Sequence, residues 1–445
     1  MKGLKKKIVI LGAGFGGVSA AIHLSQSLKG RSEIFLVDIN NYHLFKPMLH
    51  EVATGSVEPG HILQPIRHIM KGRQFTFVRG MAQRIDTGRR SVHLCEDCLV
   101  CHQQHECPIE HFNLSREDMR WRKQITLDYD YLILALGGSP NYLGIEGAQE
   151  YALPFNRLED AEKIRKRILY AFDIANRVRR VEKRKQILTF VIVGAGPTGL
   201  ELLNDLHDWI YGALPSEFPQ ISQGELSLYL IEAGKDILPA SPAQIRQTAK
   251  RLIKGKRIIL LTGTPVIRVG KDFLETSRGL IRTFTGIWTA GIKGNDLLGG
   301  TAGLELDTFG RVVVDSCLTA QGLDHVFAIG DCSAYTPPGA SHPLPSTGQV
   351  AVQEAHYLVK RLSALHTGKT VEPFRYREFG SALSAGRHQG LVNLMGLIRL
   401  SGLLGWVAWK FTYLKHLIGI RLSTRSILEW FFDITYDREA TRHKF

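Results

Sequence analysis

Short, largely apolar runs that lead into glycine recur along the chain. They are Ile8 to Leu11 before Gly12, Tyr131 to Leu134 before Gly137, Phe190 to Val193 before Gly194, Gly286 to Ala290 before Gly291, and Val326 to Ile329 before Gly330. Apolar runs of this length predict strands buried on both faces of a parallel sheet. Two of them continue in the same way. Ile8 to Leu11 is followed by a helical stretch, Val18 to Leu28, and a second strand, Ile34 to Val37, that ends in Asp38. Phe190 to Val193 is followed by Leu200 to Leu206 and then Leu226 to Ile231, ending in Glu232. Strand, helix and strand in that order, twice over, predict an α/β protein with two similar halves.

The loops between strand and helix sharpen this. The first is Gly12-x-Gly14-x-x-Gly17 and the second Gly194-x-Gly196-x-x-Gly199. In each, the first glycine makes the tight turn, the second lets backbone approach a pyrophosphate, and the third lets the helix pack on the strand. The helix N-terminus then offers free N–H groups to phosphate. Asp38 and Glu232 stand where an acid accepts from a ribose hydroxyl. Glu232 lies farther along than usual because Ala213 to Gly224 reads as an inserted loop. An acid there favours NADH over NADPH, since it repels a 2′-phosphate. The runs ending in Gly137-Gly138 and Gly291 read as crossovers between the halves. Gly330-Asp331, at a strand's carboxyl end, suits the ribityl or pyrophosphate part of a flavin.

Composition adds partners to this picture. The chain has 445 residues, enough for two or three domains. Its 56 Lys and Arg against 42 Asp and Glu give a net charge of +14, which suggests an anionic partner. In the basic stretch Arg165 to Lys185 the run Arg177 to Lys185 lacks interleaved aromatics and reads as a solvated helix face, so nucleic acid is not expected. The tail is different. From Leu391 to Phe432, Leu403, Leu404, Trp406, Val407, Trp409, Phe411 and others alternate with Arg399, Lys410, Lys415, Arg421 and Arg425. Residues 380–445 carry nine Lys and Arg and four Asp and Glu, a net of +5. That pattern suits an interfacial helix on an anionic lipid surface. The alternative is a helix packed on the protein's own core or on a homodimer mate. The start, with Lys5 to Lys7 before an apolar run broken by glycines, reads as a first strand and not as an export signal.

Cysteine usage is uneven. Cys95, Cys98, Cys101 and Cys107 crowd one short segment, ending in Cys107-Pro108. Four thiolates so close can wrap a tetrahedral ion. Zinc is the first reading and a 4Fe-4S cluster the second, although the final spacing is longer than in the bacterial ferredoxin run. Cys317 and Cys332 stand alone and read as buried structural cysteines.

Taken together, these motifs resemble the two-dinucleotide-binding flavoproteins and, within them, the type II NADH dehydrogenases. The segment Asp38 to Leu49, continuing through Val52-Ala53-Thr54-Gly55, is similar to that family's segment after the second strand. Other flavoproteins of the superfamily carry a redox disulfide there, but this chain has no cysteine before Cys95. Pro345 to Ala355 is similar to the family's quinone-site signature. Gly348, Val352 and Leu136 depart from common family residues, which leaves the quinone type open.

The resemblance implies an α/β fold of two Rossmann-like dinucleotide-binding domains, the second inserted in the first, plus a C-terminal amphipathic membrane-binding region. Residues 1–157 and 286–379 would bind FAD, with 95–107 as a Cys-rich insertion. Residues 158–285 would bind NADH, and 380–445 would anchor to the membrane. Gly12, Gly14, Gly17, Asp38, Thr54, Gly137, Asp331 and Thr347 would hold FAD, and Gly194, Gly196, Gly199 and Glu232 would hold NADH. Gln349 and Gln353, one helical turn apart, would border the flavin ring and quinone head group. Glu201 would deliver protons to the reduced quinone. The implied activity is non-proton-pumping oxidation of NADH with two-electron reduction of a membrane quinone, at the cytoplasmic side of the cell membrane as a peripheral protein. Two alternatives stand beside it. One is a flavoprotein redox sensor or electron-transfer protein that docks a soluble partner through the Cys-rich lobe. The other is a sulfide:quinone oxidoreductase, for which only Cys332 is a candidate thiol.

Overall fold

A computed structural model describes residues 5–95, 125–394 and 398–416. Contacts divide the chain into two units. The first comprises residues 1–44, 64–139 and 292–377, and the second residues 45–63, 140–291 and 378–445. Along the sequence, motif limits place the breaks between nucleotide domains at 157/158 and 285/286, whereas contacts place them at 139/140 and 291/292. The short segment 45–63 also groups with the second unit.

The chain opens with β1 (Lys6–Leu11), α1 (Phe15–Ser27) and β2 (Ser32–Asp38). The apolar residues of β1, Ile8 to Leu11, are fully buried, as a central strand covered on both faces requires. A short helix, α2 (Leu49–Thr54), follows and ends at Gly55, whose φ of +74° closes it in the left-handed conformation. Then come β3 (Thr76–Arg79), an antiparallel trio of β4 (Met81–Asp86), β5 (Ser91–Cys95) and β6 (Ile125–Asp128), and β7 (Tyr131–Leu134).

The second nucleotide half begins with α3 (Leu158–Ala175) and repeats the opening device in β8 (Thr189–Val193), α4 (Pro197–Asp208) and β9 (Ser227–Ile231). It continues through α5 (Ala243–Ile253), β10 (Ile259–Leu261) and β11 (Thr285–Trp288). The chain returns to the first unit for β12 (Val326–Ala328) and α6 (Gly348–Leu365). It ends its described course in the second with β13 (Gly380–Ser384), β14 (Gly390–Leu394), β15 (Ile398–Ser401) and α7 (Gly402–His416).

The sheet of the first unit runs β12-β7-β1-β2-β3, all parallel. The sheet of the second runs from the two-residue strand Leu153–Pro154 through β11-β8-β9-β10, also parallel. In both, the strand order reverses beside the glycine-loop strand, and ligands of open α/β sheets bind at such switch points. The predicted pair of Rossmann-like halves is therefore present. Within the second unit α7 packs on the antiparallel β13-β14-β15 sheet, with Val392, Trp406 and Trp409 as a small core. Among the described residues no helix is long and apolar enough to cross a membrane. Residues 417–445, which carry part of the expected membrane foot, lie outside the described residues.

Candidate active site

The two glycine loops are built alike. Gly12 has φ +105° and Gly194 φ +104°. A Cβ on Gly17 would stand 1.8 Å from the carbonyl oxygen of Gly12, and one on Gly199 would stand 2.0 Å from that of Gly194. Helix and strand can approach this closely only without side chains. Gly14 and Gly196 are the N-caps of α1 and α4, and no side chain caps either helix. A Cβ on either of these two glycines would meet nothing within 4 Å. Open space in front of an uncapped N-terminus of a long helix fits a pyrophosphate in both loops.

The acids at the strand ends brace the loops themselves. Asp38 Oδ2 accepts from the N–H of Ala13 at 2.6 Å and Oδ1 from Asn40 at 2.7 Å. Glu232 does the same, with Oε2 accepting from Ala195 at 2.8 Å and Oε1 from Gly234 at 2.7 Å. A carboxylate offers about four acceptor positions, so an acid at this place can brace the loop and accept from a ribose hydroxyl together. His43, which the sequence reading passed over, steadies the first loop. Its ring lies edge-on to Phe15, and its Nδ1 pairs with the carbonyl of Ala13 at 2.9 Å.

Gly330 and Asp331 follow β12. The N–H of Gly330 donates at 2.6 Å to Oε2 of Glu354 on α6. Burial, with the charge of Asp331 close by, pushes the Glu354 carboxyl up to about 8. On the same helix Thr347 is the N-cap, its hydroxyl accepting from Val350 at 3.3 Å. Gln349 Oε1 accepts from the Tyr376 hydroxyl at 3.3 Å. Gln353 is held at both ends by one residue, donating to the carbonyl of Arg377 at 2.8 Å and accepting from its N–H at 3.1 Å. These partners position the two glutamines on α6. Gly137, with φ +69°, is open on its Cα side. Thr54 is fully buried, and its hydroxyl donates to the carbonyls of His50 and Glu51 within its own helix.

Glu201 belongs to the second unit, on the buried face of α4, at the centre of a charged cluster that sequence alone did not assemble. One oxygen accepts from the N–H of Ser384 at 3.1 Å. From α2 come His50 and Glu51, from α4 also Asp205, and from α7 Lys410. His50 Nδ1 donates to Asp205 Oδ2 at 2.8 Å, and Lys410 donates to Glu51 Oε1. Lys410 Nζ also lies 4.7 Å from the Trp409 ring centre and 5.5 Å from that of Trp406. Burial raises the Glu201 carboxyl to about 7, aided by Asp205 and Glu51 and opposed by His50 and the Ser384 N–H. For His50, burial works against the charged form. The carboxylates of Asp205, Glu201 and Glu51 outweigh it and lift the imidazole to about 9. Glu201 is thus poised near neutrality while His50 stays charged.

Cys332, the thiol on which a sulfide-oxidising reading depends, is fully buried. Its Sγ contacts the carbonyls of Leu134 and Ile329 at 3.2 Å each, and burial pushes the thiol up to about 12. Such a thiol is a structural one. Of the four-cysteine motif only Cys95 is described, buried at the end of β5; Cys98, Cys101 and Cys107 lie outside the described residues. Among the described residues no group of His, Cys, Asp and Glu could hold a metal ion.

Residues 6–355 match the pyridine nucleotide-disulphide oxidoreductase family. The chain belongs to that family. Within it, the chain is 29% identical over 441 residues to the type II NADH:quinone oxidoreductase Ndh of Mycobacterium tuberculosis, covering 96% of this chain and 87% of that protein. It is 28% identical over 397 residues to the type II NADH:quinone oxidoreductase of Staphylococcus aureus, covering 88% and 90%. In fold it is similar to NDH2 from Plasmodium falciparum in complex with NADH, with a TM-score of 0.84 at 21% identity over 99% of this chain and all of that one. The sulfide:quinone oxidoreductase of Aquifex aeolicus is a more distant likeness, with a TM-score of 0.69 at 15% identity. The family takes its name from a redox disulfide, yet this member has no cysteine in the segment after β2.

Proposed function

We propose that this protein is a type II NADH:quinone oxidoreductase, which oxidises NADH and reduces a membrane quinone by two electrons without pumping protons. The observation that carries the reading is near full-length similarity to two type II NADH:quinone oxidoreductases, with no cysteine in the segment where a disulfide would sit. The first glycine loop fits FAD, with Asp38, Gly137, Asp331 and Thr347 around it. When bound, FAD accepts a hydride and passes on two electrons. The second loop fits NADH, whose ribose Glu232 selects.

The chain's own residues handle orientation and protons. Gln349 and Gln353, steadied by Tyr376 and Arg377, border the flavin ring and quinone head group in this reading. Glu201 holds a proton near neutral pH and releases it to the reduced quinone, for which a carboxyl poised close to working pH is best suited. Its buried position keeps bulk water from competing for that proton.

The finer assignments extend this reading. On α7, Leu403, Leu404, Val407 and Phe411 are exposed, at 50–70%. At 100° per residue they fall within an arc of about 100°, while Trp406, Trp409 and Lys410 occupy another arc and pack inward. An apolar face left open, with +5 on the last 66 residues, fits an anionic lipid surface and a peripheral membrane protein on the cytoplasmic side. Cys95, Cys98, Cys101 and Cys107 bind zinc in this reading, with 4Fe-4S as the second choice. Metal analysis with an absorption spectrum separates the two, and a metal-free protein would refute both.

The function is tested by steady-state turnover of the lipid-reconstituted protein with NADH and menaquinone or ubiquinone analogues. Saturable quinone reduction is expected. Flavin reduction without quinone turnover would instead favour an electron-transfer protein that docks a soluble partner.

A further inference from the structure

His50 is a buried residue on a short helix that the activity as described does not use. Its Nδ1 pairs with Asp205 Oδ2, a carboxylate that fixes this nitrogen as a donor. Its other ring nitrogen, Nε2, is buried and has no hydrogen-bond partner among the described residues. No hydrogen bond links His50 to Glu201 among the described residues, so any influence of one on the other is that of a charge through space. The Trp409 ring lies 5.8 Å from the imidazole at a tilt of 41°.

The charges around His50 come from every element packed on α2. Its own helix gives Glu51; α4 gives Glu201 and Asp205; α7 gives Lys410. From α3, Arg165 lies against Gly55 at the end of α2 and over the Trp209 ring, at 5.8 Å. Lys46, just before α2, is engaged by Asn156. Within the cluster three carboxyl groups face two cations. The set is neutral when His50 and Lys410 are charged and Glu201 carries its proton. Removing the His50 charge leaves Glu201 beside two anions and one lysine that is already paired with Glu51.

We propose that His50, held as an imidazolium by Asp205, is a positioning residue that sets the proton affinity of Glu201. The proposal rests on the reading of Glu201 as proton source for the reduced quinone and deepens it. His50 does not touch substrate in this account. It keeps Glu201 able both to release a proton and to regain one near neutral pH. Without it, Glu201 would hold its proton too tightly to release it.

The test reads Glu201 directly. Infrared difference spectra of the purified holoprotein follow the protonated-carboxyl band that is lost in E201Q, as a function of pH. In H50Q the midpoint of that band should rise by about one pH unit or more, a tenfold or greater change in proton affinity. H50K, which keeps a cation, should leave the midpoint near that of the wild type, and it serves should H50Q fail to fold. An unmoved or lowered midpoint in folded H50Q, or a raised one in H50K, overturns the proposal. Because the readout needs no quinone turnover, it is separate from the functional reading. A wild type that never reduces quinone would sink that reading while leaving the His50 result interpretable.

Discussion

His50 Nδ1 lies 2.8 Å from Asp205 Oδ2, with both side chains 3% exposed. The pair joins α2 to α4 within one unit and makes a buried histidine a standing cation. Glu201, one turn before Asp205 on α4, inherits the resulting field.

The Lys410–Glu51 pair gives a stability prediction. Both side chains are nearly inaccessible, at 6% and 7%. Removing one partner of a buried pair leaves an unpaired charge, at a cost of about 3–5 kcal/mol. K410M should therefore lower unfolding free energy by about that much, and the double variant E51M/K410M should recover most of it. Urea unfolding of the three proteins checks this. Additive losses would mean that the two side chains do not interact.

The two glycine loops predict separable defects. In G17A the new Cβ would press on the Gly12 carbonyl at 1.8 Å, and the purified protein should lose its flavin. In G199A the clash is with Gly194 at 2.0 Å and with Thr289 Oγ1 at 2.7 Å. That protein should keep its flavin and show a KM for NADH raised tenfold or more. Flavin content and NADH kinetics measure both, and a swap of the two phenotypes would reverse the loop assignments.

Much of this architecture was legible in the sequence because its signals are local. A buried strand, a glycine loop and a helix stand next to one another, and the same order occurs twice. The charged cluster was not legible as a cluster. His50 and Asp205 are 155 residues apart, and Lys410 and Glu51 are 359 apart. Each reads alone as an ordinary polar residue. A weak trace was present: Glu201 and Asp205 lie four apart on a helix otherwise lined with leucines, so both acids share one face. The local partners of Gln353 and Thr347 were hidden for another reason. Gln353 depends on the backbone of Arg377, and the Thr347 hydroxyl serves the helix start as well as any ligand.

Glu354 predicts a pH effect on stability. Its carboxyl is raised to about 8 from 4.5, so folding favours the protonated form. A raised group contributes stability that is full below about pH 4.5 and is lost as pH rises through about 8. Glu201 and His50 are raised too and give the same sign, so the informative quantity is a difference. Between about pH 5 and pH 9 the Tm of the wild type should fall more than that of E354Q. Parallel Tm curves would show that Glu354 does not titrate in this range.

The open face of α7 predicts membrane attachment. L404D and F411D change residues that are 70% and 61% exposed, so the fold should tolerate them. Co-sedimentation with anionic phosphatidylglycerol vesicles should weaken tenfold or more in each variant, and should weaken with salt in the wild type. Binding unchanged in both variants would place the lipid contact elsewhere or remove it.

The central claim is that NADH delivers electrons through this protein to a membrane quinone, with Glu201 supplying a proton. Stopped-flow absorbance of the flavin tests it most directly. The lipid-reconstituted protein is reduced with one equivalent of NADH and then mixed with a menaquinone or ubiquinone analogue. The account predicts rapid bleaching by NADH in both wild type and E201Q, rapid reoxidation by quinone in the wild type, and reoxidation slowed at least tenfold in E201Q. A wild-type flavin that NADH bleaches but no quinone reoxidises would contradict it.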